Sequence, residues 1–288
     1  MRIALGTVQW GMNYGISNSN GVPSDHELDL IFKRMEKVGI DTLDTSITYG
    51  NAEKRLGKLV SSSHKVISKV NTSDLEKTIK EQCQNSLLSI RQSKLEGYLL
   101  HNLRSLYDNK AIWNELEELK QLGLVKKIGF SVYNPLDLET LLKSNIIPDI
   151  VQLPLNILDR RFSPYFTQLK SYGVEIHVRS VFLQGVLISA YDDCPKGFEK
   201  WLPLWKTYRE WISKNEISPI EACIQHVLSY DLVDKIVIGV TNLKELDDII
   251  LAQNRKPIIA PVELAITDEK LINPLEWTIT KQLLSKNQ

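Results

Sequence analysis

Short apolar runs of strand length alternate along the chain with longer stretches in which apolar residues recur at helical spacing. Arg2–Gly6 predicts a first strand, opening into Thr7-Val8-Gln9-Trp10-Gly11. Ser24 or Asp25 caps a helix whose apolar stripe is Leu28, Ile31, Phe32, Met35 and Val38, and Gly39 ends it. Ile40–Asp44 predicts the second strand, Ala52–Val60 a short helix and Lys65–Val70 the third strand. Asp74 opens a helix towards Ile90, Leu95–Leu100 is the fourth strand, and Lys110–Leu122 is helical up to Gly123. Val125–Ser131 predicts the fifth strand, Pro135 a helix through Leu142, and Asp149–Leu153 the sixth strand. Ser163–Tyr172 reads as helix and Val174–Ser180 as the seventh strand. A long helical region from Phe198 to Tyr230 breaks near Ser218-Pro219. Lys235–Gly239 is the eighth strand and Asn242–Ala252 the eighth helix, followed by a less regular, proline-containing tail.

Strands that alternate with helices lie parallel, joined by crossover connections. Eight such units close a barrel, and 288 residues suit the ~250 typical of that fold. The expected fold is therefore an α/β protein, a (β/α)8 TIM barrel, in a single domain over residues 1–288. Residues 255–288 are expected as a C-terminal tail near the substrate pocket. A doubly wound open sheet is the alternative, weakened because no Gly-x-Gly-x-x-Gly follows the first strand.

Charge then excludes several roles. Lys+Arg and Asp+Glu both number 35, so nothing drives counterion-release binding to nucleic acid. No apolar run approaches the ~20 residues of a membrane span. The N-terminus carries no secretory pattern, and three scattered cysteines suit a reducing compartment. A cytoplasmic protein is expected, as a monomer or small homo-oligomer. The five histidines show no ligand spacing, so no metal site is expected. Gly50 to Lys58 has the wrong spacing for a phosphate loop, and there is no Gly-x-Ser-x-Gly elbow.

Chemistry is concentrated in Gly39–Gly50 and at two later strand ends. Asp44 and Tyr49 sit on the loop after the second strand, Lys69 near the end of the third, and His101 just after the fourth. In a parallel barrel the C-terminal strand ends form the working face, so these four meet at one rim. A buried lysine beside an aspartate is a partnered charge. A phenol beside that lysine is expected to have its pKa lowered from ~10. Such a phenol can donate a proton to a carbonyl oxygen, and the histidine can orient the same oxygen. Singly, each has a plainer reading as cap, rim aromatic, snorkelling lysine or core histidine.

Asp44-Thr45-Ser46, Tyr49-Gly50, Lys69 and Leu100-His101-Asn102 together resemble the aldo-keto reductase superfamily, over nearly the whole chain. The resemblance implies a barrel that binds extended NADP(H), with NAD(H) as the alternative. It implies Tyr49 as general acid/base, Lys69 and Asp44 tuning it, and His101 orienting the carbonyl. It also implies cofactor contacts at Gly6, Thr7 and Asp44, at Ser131 in Gly129-Phe130-Ser131, and at Gln152. Val132 stands where the family usually has asparagine. Further contacts are implied at Arg179, Ser180, Leu183, Gln184 and Gly185, with Arg179 in place of a stacking tyrosine. The last segment is Gly239, Val240, Thr241, Asn242, Lys244 and Asp248. There Asn242 or Leu246 stands where an arginine often holds the 2′-phosphate, and Lys244 is a substitute point charge. The first strand begins without the hairpin that often precedes it in this family, so other side chains must close the N-terminal end.

For substrate, Trp10, Tyr49, His101 and Asn102 are the primary candidates. Tyr14, Tyr133, Asn134, Asn156, Arg160, Phe182 and Trp277 are further rim or tail residues. Gly-Thr-x-Gln-x-Gly near the start and Arg-Ser-x-x-Leu-Gln-Gly later resemble a short-chain branch often associated with sugar-related surface-polysaccharide enzymes. The expected partner is a small-molecule carbonyl or sugar. Two alternatives use the same fold: a non-catalytic dinucleotide-binding sensor, and a lyase or isomerase in which Lys69 forms a Schiff base.

Overall fold

The computed structural model describes residues 1–16, 18–72, 77–103, 106, 111–189 and 197–277. Its strands are β1 (Ile3–Gly6), β2 (Thr42–Asp44), β3 (Lys65–Val70), β4 (Leu95–Leu100), β5 (Val125–Ser131), β6 (Ile150–Pro154), β7 (Glu175–Arg179) and β8 (Lys235–Gly239). They pair in parallel in sequence order and close into a barrel. Leu5 lies opposite both Leu43 and Ile238, so no strand edge is left open.

The helices are α1 (Val8–Gly11), α2 (Asp25–Lys37), α3 (Ala52–Leu56), α4 (Ile79–Ile90), α5 (Ala111–Gln121), α6 (Pro135–Lys143), α7 (Phe166–Ser171), α8 (Leu202–Lys214), α9 (Pro219–Leu228), α10 (Leu243–Gln253) and α11 (Glu269–Ile272). Local chemistry sets their ends. The Ser24 side chain accepts from the Glu27 N–H at the start of α2. Reciprocal Thr78–Glu81 and Ser218–Glu221 capping boxes start α4 and α9. The second of these divides the long helical region, as the Ser-Pro pair predicts. α4 therefore opens later than expected; Asp74, its expected start, lies outside the described residues, as does Lys110 before α5.

Two expected elements are shorter than the apolar pattern suggests. β2 begins at Thr42 rather than Ile40. Gly39 takes a left-handed φ of 77°, and the Ile40 N–H turns back to the Met35 carbonyl, so it cannot join the ladder. α3 stops at Leu56 instead of Val60, with Gly57 as its cap.

Charged residues fill the N-terminal end of the barrel. Lys65 on β3 and Lys235 on β8 both pair with Asp41, just ahead of β2, at 2.8 and 3.4 Å. Lys127 on β5 pairs with Glu175 on β7 at 2.6 Å. β5 and β7 are not neighbours, so this contact crosses the interior. Ile67, Leu99 and Ile150 form a small apolar cluster apart from the main core. Gly97 makes room for it: a Cβ there would stand 2.9 Å from Ile150 Cδ1. The opposite rim carries the polar residues singled out by the sequence. Among the described residues no helix is long and apolar enough to cross a membrane.

Candidate active site

Asp44 ends β2, paired in register with Gly6 of β1 and Ile67 of β3. Lys69, on β3, is almost fully buried. Its Nζ donates to Asp44 Oδ1 at 2.5 Å and to the Thr45 carbonyl at 2.9 Å. The other Asp44 oxygen accepts from Gln152 Nε2 at 2.8 Å. A buried carboxylate and ammonium are thus held by each other and by neutral partners, as burial of charge requires. An amine pinned in this way is poorly placed for Schiff-base formation, which counts against the lyase reading.

Tyr49 is positioned by the turn that leads into α3. Its N–H donates to the Ser46 carbonyl, and its own carbonyl accepts from the Ala52 N–H. The turn presses against α1: a Cβ on Gly11 would meet the Tyr49 carbonyl at 1.9 Å, and one on Gly50 the Gly11 carbonyl at 2.5 Å. Gly50 also has a φ of 57°, so glycine is required there twice over. Behind the turn, Ser68 Oγ donates to Glu53 Oε1 at 2.6 Å, fastening α3 to the strand that carries Lys69.

Lys69 Nζ lies 5.4 Å from the Tyr49 ring centroid. The expected lowering of the phenol's pKa does not follow. Burial, then the Asp44 carboxylate and Tyr133, push it well above its usual value, while Arg179 pulls it back. The first reason is burial, which disfavours the phenolate, and the Asp44 carboxylate that Lys69 faces adds to it. Tyr49 is therefore a protonated phenol.

His101 stands edge-on to Tyr49, with ring centroids 5.7 Å apart. Its Nδ1 faces the hydroxyls of Ser46 and Thr48 at 3.2 and 3.4 Å. Burial, Lys69 and Arg179 lower its pKa to about 3. The ring is therefore neutral at neutral pH, and when Nδ1 accepts from a hydroxyl the proton sits on Nε2 as a donor. An NMR titration should find the His101 ring protonating near pH 3 and unchanged between pH 5 and 8. A midpoint near the ordinary ~6.5 would show the environment to be misread. The linkage has one sign: below about pH 6.5 the unfolded chain binds a proton the folded chain refuses, so stability falls with acid.

A cavity of about 590 Å³ opens beside Tyr49, lined there by Thr7, Asp44, His101, Ser131 and Gln152. It continues past the rim to α9 and α10, where Ile220, Glu245 and Ile249 line it. Gly6, Ser180, Gln184, Gly185, Gly239 and Thr241 also contribute to its wall. Gln9, Tyr14 and Phe182 complete the part formed after β1 and β7. The β7 loop holds three non-glycine residues at positive φ, Ser180, Leu183 and Gln184, a strain typical of binding loops. A smaller cavity of about 370 Å³, lined by Asn71, Thr72, Asn102 and Asp137, shares His101, Ser131, Tyr133 and Leu275 with the larger one.

Several sequence candidates lie elsewhere. Trp10 is fully buried, its Nε1 donating to the Val240 carbonyl at 3.3 Å. Leu183 and Val240 are core residues. Asn242 caps α10, and Leu246 is fully buried. Lys244 is exposed and pairs with Asp248 at 2.6 Å. Trp277 packs on Phe198, and Arg160 fastens the tail through the Ala260 and Pro261 carbonyls. Asn156 is buried and bonds the Ser180 carbonyl, while Asn134 caps α6. Arg179 stacks on Tyr133, 3.9 Å from the ring centroid, and donates to Ser131 Oγ and the Val132 carbonyl. Gln9 on α1 and Glu245 on α10 also line the cavity but are not among the sequence candidates, although Gln9 is the glutamine of the Gly-Thr-x-Gln-x-Gly motif.

A closed β/α barrel with a protonated phenol, a buried lysine–aspartate pair and a neutral imidazole on its working rim has the make-up of a carbonyl oxidoreductase. The Aldo/keto reductase family model matches residues 2–260, and the chain belongs to that family of oxidoreductases. An uncharacterized oxidoreductase of Bacillus subtilis (strain 168) is 24% identical over 265 residues, 83% of this chain and 85% of that protein. Rhazimal reductase 2 of Alstonia scholaris is 27% identical over 176 residues, 51% of this chain and 54% of that protein, so the match spans about half of that relative's length. The holo form of an aldo-keto reductase from Bacillus halodurans shares the fold, with a TM-score of 0.70 and 21% identity over 98% of this chain and 91% of that one.

Proposed function

We propose that the chain transfers a hydride between a nicotinamide dinucleotide and a small polyhydroxylated carbonyl compound, a sugar or sugar derivative. The observation that carries this is the meeting of two cavities beside one acid. The larger is long enough to pass from Tyr49 to α10; the smaller is walled by Asn71, Thr72, Asn102 and Asp137. The larger cavity also suits a polar ligand. Thr7 Oγ1 and Gln9 Oε1 are buried on its wall without a partner among the described residues. Thr7, Gln9, Ser131 and Arg179 would hold the dinucleotide at the reacting end, and Thr241 and Glu245 beyond the rim.

When bound, the nicotinamide supplies or takes the hydride. The chain does the rest. Tyr49 donates its proton to the carbonyl oxygen in reduction and takes it back in oxidation. His101, neutral and a donor at Nε2, orients that oxygen. Burial, with the Asp44 carboxylate fixed by Lys69 and Gln152, holds the phenol in its protonated form. The buried thiols Cys83 and Cys223 suit the cytoplasm, where we place the protein.

The test follows oxidation of reduced cofactor against aldoses, keto-sugars and plain alkyl aldehydes. Sugars are expected to win in kcat/KM by about tenfold or more, since a plain alkyl chain gains no hydrogen bonds from the polar wall. Alkyl aldehydes turned over as well as sugars would remove the sugar assignment and leave the oxidoreductase.

A further inference from the structure

The outer part of the larger cavity ends at the N-terminus of α10, where the sequence resemblance implies a cradle for a 2′-phosphate. Two of its backbone donors are already taken by carboxylates, and the Glu245 N–H by Asn242 Oδ1. The Thr241 N–H donates to Glu245 Oε2 at 2.6 Å, and the Leu243 N–H to Glu27 Oε1 at 2.6 Å. The Thr241 hydroxyl faces both Glu245 oxygens at 2.9 and 3.0 Å, and Asn242 Nδ2 reaches Oε1 at 3.1 Å. Two negative groups thus occupy the positive end of the helix, where an incoming phosphate would otherwise be stabilised.

Among the described residues lining this cavity, Arg179 is the one cation, and it stacks on Tyr133 by the reacting end. Lys244 points away to Asp248, and Arg34 is held by Asp247 at 2.6 Å. A polar group also waits on the cavity wall away from α10. Thr7 is fully buried on its wall, with its Oγ1 unpartnered among the described residues.

We infer that Glu245, supported by Glu27, makes this enzyme select NAD(H) over NADP(H). This rests on the dinucleotide reading of the cavity and sharpens it. A carboxylate accepts hydrogen bonds from the free hydroxyls of a ribose, and repels the same ribose when it carries a phosphate dianion.

Titrations of the full chain with NADH and with NADPH, read by cofactor fluorescence, test this without turnover. NADH is expected to bind at least about tenfold more tightly, because the phosphate both removes a charge-assisted hydrogen bond and adds a repulsion. Glu245→Gln should narrow that ratio about fivefold or more, chiefly by improving NADPH. Glu27→Gln should narrow it in the same direction, and serves if the first variant disturbs the α10 cap. Equal affinities, or tighter NADPH, would overturn the inference while leaving the dinucleotide reading intact. A preference for NADH unchanged in both variants would also overturn it. Failure of both dinucleotides to bind would sink the dinucleotide reading and this inference with it.

Discussion

Tyr49→Phe is expected to lose hydride transfer by about 10³-fold or more, while its dinucleotide affinity stays within about twofold of wild type. The substitution removes one oxygen from a half-buried ring and leaves the backbone turn untouched. That turn is held by the Ser46 carbonyl, the Ala52 N–H and the close approach of Gly11 and Gly50, none of which involves the hydroxyl. Nor does the Lys69 ammonium depend on that hydroxyl, since its Nζ is committed to Asp44 and Thr45. The loss should therefore fall on kcat, with binding and stability nearly unchanged. Rapid mixing of enzyme with reduced cofactor and substrate, beside a fluorescence titration, separates the two. A variant within about tenfold of wild type would show that the proton comes from elsewhere, His101 being the next candidate.

The sequence made the architecture legible because short apolar runs and period-3.6 stretches succeed each other along the chain. β3, β4, β5 and β8 fall within the runs that predict them, and Ser218-Pro219 breaks the long helix as read. The site was legible in kind for the same reason: Asp44, Lys69 and His101 close apolar runs, and a parallel barrel brings run ends together. What the sequence concealed was how deeply each group would be buried. Lys69 pairs with Asp44 as read, yet burial and that carboxylate leave the phenol's pKa raised rather than lowered. Trp10 reads as a rim aromatic, but α1 turns its ring inward under Val240. Glu27 and Glu245 lie far apart in sequence and have no motif between them. Only the packing of α2 against α10 places both carboxylates at one helix start.

Lys69→Met should cost about 3–5 kcal/mol of stability, the range for removing one member of a buried ion pair. The Lys69 and Asp44 side chains are 1% and 5% exposed, so the remaining carboxylate has little access to water. Gln152 still donates to it, but a neutral amide does not balance the charge. Adding Asp44→Asn removes the stranded charge, and the double variant should recover most of the stability, since neutral replacement of a buried pair costs little. It should recover no turnover, because the charged pair beside Tyr49 is gone. A single-variant cost below about 1 kcal/mol would mean that water reaches Asp44 and the pair is not truly buried. A double variant no more stable than Lys69→Met would place the cost in the packing of the lysine stem rather than in the uncompensated charge.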